Sequence, residues 1–390
     1  MSLTTPIAHN CSQERLAAIV LAAGASSRMG CLKPLLRLGG VTALERSIAL
    51  FHDAGIDEVL VVLGNRSEEL RSLAESCRAR TIQNAKWEEG MYSSVVAGVR
   101  ALPERTRAAF VLPADVPMVR PATIRQIVNE VDAYPEEMIV YPAFEGKRGH
   151  PPMIGRHILD EAARDESVGP LCAVLAAHEQ SAIDVAVADE AIHRDMDTPA
   201  DFEALQALAM HREIPTIRER EAILGEWHVP AAVVRHSRKV AEVAGRIADA
   251  LAATGHTIDP ELARAGGLLH DLAKGQPKHA DAGAAVLRAY GMPGVANVVA
   301  AHTEMEFSGT IDEQAIVYLA DKLVGGERLV TLDERFGRAL DRFRDNANAL
   351  GAARRRREVA EKIASSIEAR LGMPIDAIVD PAPASIGLEG

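Results

Sequence analysis

The sequence predicts an α/β domain with a mostly parallel sheet followed by an all-α helical bundle, and three observations carry that expectation. Short apolar runs recur through the first half: Leu16 to Ala23 (LAAIVLAA), Glu58 to Leu63 (EVLVVL) and Ala108 to Leu112 (AAFVL). Unbroken runs of this length suit strands buried on both faces. Stretches at helical spacing, Ala43 to Ala54 and Glu68 to Cys77, separate them, and such alternation implies a parallel sheet with helices over both faces. From about Thr216 the strand-like runs cease. Ala231 to Ala253, Pro260 to Ala273, Ala280 to Tyr290, Val295 to His302, Asp312 to Val324 and Leu350 to Leu371 all read as helices.

A chain of 390 residues exceeds what one core usually organises. The expected division is a flexible start over 1–14, a first domain over 15–209, a linker over 210–220, a second domain over 221–379 and a flexible tail over 380–390. The proposed linker contains MHREIPTIRER, which is polar and interrupted by proline. A formal net charge of -12 argues against a surface that coats nucleic acid. The basic run Arg354 to Arg357 reads as a solvated helix face. No apolar run approaches the length of a membrane span, and the N-terminus lacks the pattern of a signal peptide. Four cysteines without C-x-x-C spacing suggest neither a zinc knuckle nor a disulfide frame. A cytoplasmic protein with no membrane partner is expected.

The segment Leu21 to Pro34, LAAGASSRMGCLKP, follows a strand and precedes a helix-like stretch. There Gly24 can turn sharply while successive backbone N–H groups point at an anion. Arg28 and Lys33 add positive charge at two distances, as a triphosphate requires. The pattern is neither a P-loop nor a dinucleotide fingerprint. It resembles the signature of the nucleotidyltransferases that include the molybdenum cofactor cytidylyltransferases and guanylyltransferases. The resemblance continues through Asn84-x-x-Trp87-x-x-Gly90-Met91-x-Ser93-Ser94, Leu112 to Met118 (LPADVPM), Gly149-His150-Pro151 and Asp195-Met196-Asp197-Thr198-Pro199. It implies a Rossmann-like nucleotidyltransferase fold over roughly the first 200 residues. Ala22, Ala23, Gly24, Arg28 and Lys33 would then cradle the nucleotide phosphates. Asn84, Gly90, Ser93 and Ser94 would meet its base and ribose.

Transfer to an acceptor with loss of pyrophosphate builds charge on phosphate oxygens, so alignment and neutralisation dominate the chemistry. Asp115 follows a strand end, the usual place for a ligand in an open α/β sheet, and its oxygens suit Mg²⁺. Asp195 or Asp197 supplies a second carboxylate, and the sequence does not choose between them. Asp197 could equally cap the helix that begins near Thr198-Pro199. Ala23 resembles the cytidylyltransferase form LAAG rather than the guanylyltransferase form LAGG, which implies CTP. A phosphorylated small molecule such as molybdopterin is the implied acceptor.

In the second half, histidines and aspartates recur inside apolar helical contexts: His236, His270-Asp271, His279, His302 and Asp321. Inward polar groups are costly unless paired or metal-bound, and several on separate helices point to a metal site in a bundle core. The order H…HD…D, with LLHDLAK and YLADKL, resembles the HD-domain metal-dependent phosphohydrolases. The resemblance implies that His236, His270, Asp271 and Asp321 hold one metal. His279 and His302 could hold a second, bridged by Asp271. Imidazole and carboxylate ligands suit Fe, Mn or Co, with Zn possible and Mg for a single-metal site. Lys274 could meet a substrate phosphate or lie at the surface. His228 and His256 fit no pattern.

A bifunctional enzyme is therefore expected, joining nucleotidyl transfer to phosphoester hydrolysis. A second reading moves the first acceptor to a sugar or alcohol phosphate and makes the HD domain a nucleotide-binding regulatory module. The complete ligand set speaks against that module. Leu350 to Leu371 could support a homo-oligomer or dock as a final helix.

Overall fold

The computed structural model describes residues 16–24, 32–64, 67–130, 137–164 and 170–380. Arg28, the expected flexible start over 1–14 and all but Asp380 of the expected flexible tail over 380–390 lie outside these residues. The chain divides between Arg212 and Glu213 into two compact units.

The first unit begins with β1 (Leu16–Ala22), a short β2–β3 ribbon (Arg37–Leu38 and Val41–Thr42) and α1 (Ala43–Asp53). It continues through β4 (Glu58–Leu63), α2 (Ser67–Ser76), β5 (Arg80–Gln83), α3 (Met91–Arg100), β6 (Ala108–Pro113) and α4 (Pro121–Asn129). Then come β7 (Ile139–Phe144), β8 (Lys147–Arg148), β9 (Met153–Gly155), α5 (Arg156–Arg164), α6 (Leu171–Ala177), β10 (Ala182–Ala186) and α7 (Pro199–Met210). The main sheet has the order β10-β7-β9-β6-β1-β4-β5, with β8 beside β7. Its pairs are parallel except where β9 meets β6 and β7 and where β8 meets β7.

Every residue of β1 is buried. Ala17, Ile19 and Leu21 face a core shared with Val95 and Val99 of α3 and Ile158 and Leu159 of α5. On the opposite face, Phe51 of α1 lies against Phe110 of β6 with ring centroids 5.7 Å apart. Gly98 lets α3 approach the sheet closely, because a Cβ there would lie 2.6 Å from Ile19 Cγ2. The central β1 sits between β6 and β4, so the strand order reverses there and leaves a crevice beyond the carboxyl ends of β1 and β6.

The second unit consists of α8 (Ile217–Glu226), α9 (Ala231–Ala253), α10 (Pro260–Leu269), α11 (His279–Ala289), α12 (Pro293–Ala301) and α13 (Glu313–Lys322). A two-strand ribbon, β11 (Val324–Gly325) and β12 (Arg328–Leu329), precedes α14 (Leu332–Arg342), α15 (Ala347–Leu371) and α16 (Ile375–Val379). Helices α9, α13, α15 and α16 share one apolar core around Val243, Ile247, Tyr318 and Ile363.

Several expected boundaries change. The helix expected to reach Ala273 stops at Leu269, with His270 as its C-cap. The strictly all-α expectation misses the β11–β12 ribbon, whose turn is made by Gly326 at φ 65°. Within the expected linker, α8 already starts at Ile217, capped by Thr216 in a reciprocal box with Glu219. No described helix is long and apolar enough to cross a membrane.

Candidate active sites

In the first unit, a cavity of about 370 Å³ opens at the carboxyl ends of β1 and β6. Ala22, Ala23 and Gly24 line it after β1, and Pro113, Ala114 and Asp115 after β6. Gly90, Met91 and Ser94, at the N-terminal end of α3, complete the wall together with Trp87 and Lys33. Gly90 has φ 103°, a conformation open to glycine, and its turn delivers the free N–H groups of α3 to the cavity. Gly64 is required by close approach, since a Cβ would lie 2.6 Å from the Ala23 carbonyl oxygen.

Lys33 Nζ donates to Asp197 Oδ1 at 2.6 Å and lies 3.9 Å from Asp115 Oδ2. The D-x-D-T-P segment is thus brought to the strand-end carboxylate, and Asp197 takes the place nearest Lys33. It is not the helix cap: Thr198 caps α7, in a reciprocal box with Asp201. Burial pushes the Asp115 carboxyl above its usual range, Lys33 pulls it down, and Asp197 and Asp195 push it up. A partly buried carboxylate cluster with one lysine favours a further cation, which suits a divalent metal with oxygen ligands.

Two residues expected at the nucleotide are engaged with their own loop and helix. Buried Asn84 donates through Nδ2 to Ser93 Oγ at 2.8 Å and Ser94 Oγ at 3.0 Å, and its Oδ1 accepts from Lys86 N at 2.8 Å. Asn84 and Ser93 do not line the cavity. They tie the loop before α3 to that helix, so only Gly90 and Ser94 of this group form its wall.

A second cavity of about 600 Å³ adjoins the first through Leu21, Met91 and Pro113. Tyr141, Arg148, His150, His193 and Asp195 line it. Gly149 is needed there because a Cβ would lie 2.6 Å from the Ile192 carbonyl oxygen. The Arg148 guanidinium lies 4.4 Å from the centre of the Tyr141 ring and is anchored by Asp184 and Glu179. Asp195 therefore lines the second cavity, with Asp197 on the Lys33 side of the first.

In the second unit all six expected ligands converge. His236 comes from α9, His270 and Asp271 from the end of α10, His279 from the start of α11, His302 from the end of α12 and Asp321 from α13. Paired glycines allow this. A Cβ on Gly266 would lie 2.4 Å from Val298 Cγ1, and one on Gly267 would lie 2.8 Å from Ala241 Cα. Helix α10 thus packs tightly on α12 and α9 at once.

Three rings are oriented by backbone carbonyls. The Nδ1–H groups donate to Gly326 O from His236 at 2.8 Å, to Gly267 O from His270 at 2.8 Å and to Val299 O from His302 at 2.6 Å. Each bond fixes the tautomer that leaves Nε2 with its lone pair directed into the cluster. His236 Nε2 lies 3.2 Å and His270 Nε2 3.7 Å from Asp321 Oδ1. Asp271 Oδ2 is 3.3 Å from His270 Nε2, while its Oδ1 is 3.3 Å from His279 Nε2 and 3.7 Å from His302 Nε2. Its two oxygens thus face two sets of imidazoles.

Lone pairs facing carboxylates repel unless a proton or cation intervenes. His270 Nε2 is fully buried and makes no hydrogen bond, and such an orphaned atom needs a partner. Ligand atoms of His236, His270 and Asp321, and of His270, Asp271 and His302, lie within 4.8 Å of one another. Burial also holds the His302 imidazole below its usual pKa range, which favours the neutral ligand form. The donor set fits divalent transition metals.

Lys274 is half-exposed and its ammonium pairs with Asp271 Oδ2, so it neutralises a ligand carboxylate. Sequence reasoning passed over Lys322, next to Asp321. It is buried, donates to His302 O and Asp321 Oδ2 at 2.8 Å each, and lies 4.3 Å from the centre of the Tyr318 ring. A lysine inside the apolar run AIVYLADKL was the available signal.

Residues 18–189 match the family model of the MobA-like NTP transferase domain, and residues 233–325 match that of the HD domain. The chain is 39% identical over 108 residues to the bifunctional IPC transferase and DIPP synthase of Rubrobacter xylanophilus, covering 25% of this chain and 24% of that protein. It thus spans about a quarter of that relative's length. It is 29% identical over 185 residues to the molybdenum cofactor cytidylyltransferase of Escherichia coli, covering 47% of this chain and 92% of that protein. It is 30% identical over 142 residues to the "Probable molybdenum cofactor guanylyltransferase" of Bacillus cytotoxicus, covering 36% of this chain and 68% of that protein. With a nucleotide-sized crevice in one unit and a histidine–aspartate cluster in the other, the chain belongs to the MobA-like NTP transferase family through its N-terminal unit and carries, in its C-terminal unit, an HD domain of the kind typical of metal-dependent phosphohydrolases.

Proposed function

We propose that the N-terminal unit transfers a cytidylyl group from CTP to a phosphorylated acceptor such as molybdopterin, and that the HD unit hydrolyses a phosphoester. The observation that carries the first part is Lys33 set between Asp115 and Asp197 at the crevice. An acceptor phosphate oxygen forms a bond to the α-phosphorus, the bond to the bridging oxygen breaks, and pyrophosphate leaves with the electron pair. Lys33 and the N-terminal end of α3 hold the phosphate chain in line, and the larger adjoining cavity takes the acceptor. Asp115 with Asp197 would hold Mg²⁺, which supplies neutralisation of phosphate charge when bound. CTP rests on Ala23, at the position where the sequence resembles the cytidylyltransferases, and on the name of the Escherichia coli relative.

In the HD unit, His236, His270 and Asp321 would hold one divalent metal and His279 and His302 a second, with Asp271 between them. Such a metal supplies Lewis acidity toward a phosphoryl oxygen and a more acidic water. The backbone carbonyls keep the imidazoles in their ligand tautomer, and Lys274 and Lys322 balance the two carboxylates.

The test is pyrophosphate release by the purified chain with Mg²⁺, across CTP and GTP and a panel of molybdopterin, sugar-phosphate and alcohol-phosphate acceptors. The sugar and alcohol arms test the second reading of the sequence, in which the acceptor is a sugar or alcohol phosphate. Asp115→Ala should lower transfer at least about a hundredfold; unchanged transfer would remove the proposed site. Phosphoester hydrolysis with Mn²⁺, Fe²⁺, Co²⁺ or Mg²⁺ should disappear in Asp271→Ala, and retained hydrolysis would remove the second assignment.

A further inference from the structure

Helices α14 and α15 lie beyond the segment that matches the HD domain, yet they help enclose a cavity of about 500 Å³ that reaches His279 and Lys322 of the metal cluster. Arg335, Arg338 and Arg342 all line it. Their spacing of three and four residues puts them on one face of α14. Arg356 joins them from α15. Two of these guanidinium groups have acidic neighbours: Arg335 lies 3.9 Å from Asp321, and Arg356 donates to Glu304 at 2.6 Å. Arg338 and Arg342 have no carboxylate partner among the described residues. The acidic residue in the lining, Glu334, is engaged by the backbone N–H of Thr331 at 3.2 Å.

Unneutralised positive charge gathered in one concavity of a chain with a formal charge of -12 calls for an anionic ligand. The scissile phosphate has its own attraction in the histidine–aspartate cluster. Arg335 approaches the ligand Asp321, whereas Arg338 and Arg342 pair with no ligand carboxylate and are available to what extends past the cluster. Guanidinium forks match phosphate oxygens two at a time.

We propose that this cavity is a phosphate-chain subsite: it holds the departing portion of a substrate with at least two linked phosphates, while the scissile phosphate lies at the cluster around Asp271. The inference rests on the hydrolytic reading of the HD unit and adds its substrate class. In the reaction, a water oxygen bonds to the scissile phosphorus and the bond to the bridging oxygen breaks. The departing phosphate keeps the electron pair within the arginine cavity, and the proton from water passes to solvent.

The test uses the full chain loaded with Mn²⁺, in a Lys33→Ala background that silences phosphate binding in the first unit. Hydrolysis of inorganic tripolyphosphate is compared with that of p-nitrophenyl phosphate, which has no second phosphate. Arg338→Ala/Arg342→Ala should raise KM for tripolyphosphate at least about tenfold, the loss expected from one charge-assisted contact, and leave kcat/KM for p-nitrophenyl phosphate within about twofold. Arg354→Ala, an exposed arginine outside the cavity, should change neither. Equal losses on both substrates, or no change on tripolyphosphate, would overturn the subsite. If the metal-loaded parent hydrolyses neither compound, the hydrolytic reading fails. Equilibrium dialysis of tripolyphosphate then still decides the subsite, and equal binding by parent and double variant sinks it.

Discussion

Asp189 lies in neither cavity, yet its replacement by asparagine should be among the most damaging isosteric changes in the first unit. Its Oδ2 accepts from Arg120 N and Thr123 Oγ1, each at 2.7 Å. Its Oδ1 accepts from Arg212 Nη2 at 2.6 Å and Ala191 N at 3.2 Å. Arg120 is itself buried, with Nη1 3.6 Å from Asp189 Oδ1. The carboxylate therefore binds the start of α4, the end of the unit at Arg212 and the turn that leads to Asp195 and Asp197. Asparagine keeps the shape but removes the charge between two guanidinium groups and turns an NH₂ toward donors. Losing one partner of a buried pair costs about 3–5 kcal/mol. For a unit of this size that corresponds to a fall in Tm of roughly 6–20 °C.

The pH dependence has a fixed sign. Burial opposes ionisation of Asp189, but Arg212 and Arg120, with the hydrogen bonds from Arg120 N and Thr123, together more than offset it, and its pKa is lowered on folding. Its stabilisation is therefore fully present above the unfolded value of about 3.9 and is lost as pH falls below it. Denaturant unfolding of parent and Asp189→Asn at pH 7, and again below about pH 4, should show a gap that narrows on acidification. A gap within about 0.5 kcal/mol at pH 7, as for an ordinary surface change, would refute the reasoning.

Lys322→Met should leave the His302 carbonyl and Asp321 Oδ2 short of a buried donor and weaken metal binding about 10–100-fold; competitive chelator titration measures this, and unchanged affinity would show that Lys322 does not position the cluster. Gly267→Ala gains about 1 kcal/mol in helix propensity. That gain should be outweighed because its Cβ would lie 2.8 Å from Ala241 Cα, an obstacle of backbone rather than side chain. A net loss of about 1–3 kcal/mol and a weaker metal site are expected, and a raised melting temperature would contradict the close packing of α10 on α9.

Much of this was legible from residue order. The unbroken apolar runs at Leu16, Glu58 and Ala108 identified the central parallel strands, because strands buried on both faces have little room for polar residues. The helical periods from Ala231 to Leu371 identified the bundle, and recurring histidines and aspartates within them identified its polar cluster. The remaining strands were hidden by their context. Proline interrupts β7 at Pro142, β9 has three residues, and β10 lies at the sheet edge with several exposed positions.

What the sequence alone determined was the kind of chemistry available: a glycine-turned anion loop with lysine and aspartates, and imidazoles and carboxylates inside helices. Tertiary structure decided which atoms meet. It put Asp197 on Lys33 and made Thr198 the cap, and it turned Asn84 and Ser93 into braces. It also aimed the His236 ring with the distant Gly326 carbonyl and gathered the arginines of α14 and α15 into one cavity. The meetings of Lys33 with Asp197, of His236 with Gly326 and of the arginines depend on elements far apart along the chain, which local periodicity cannot encode. The physical reason is that propensity and patterning act within a turn or a strand, whereas ligand geometry is fixed by packing between them.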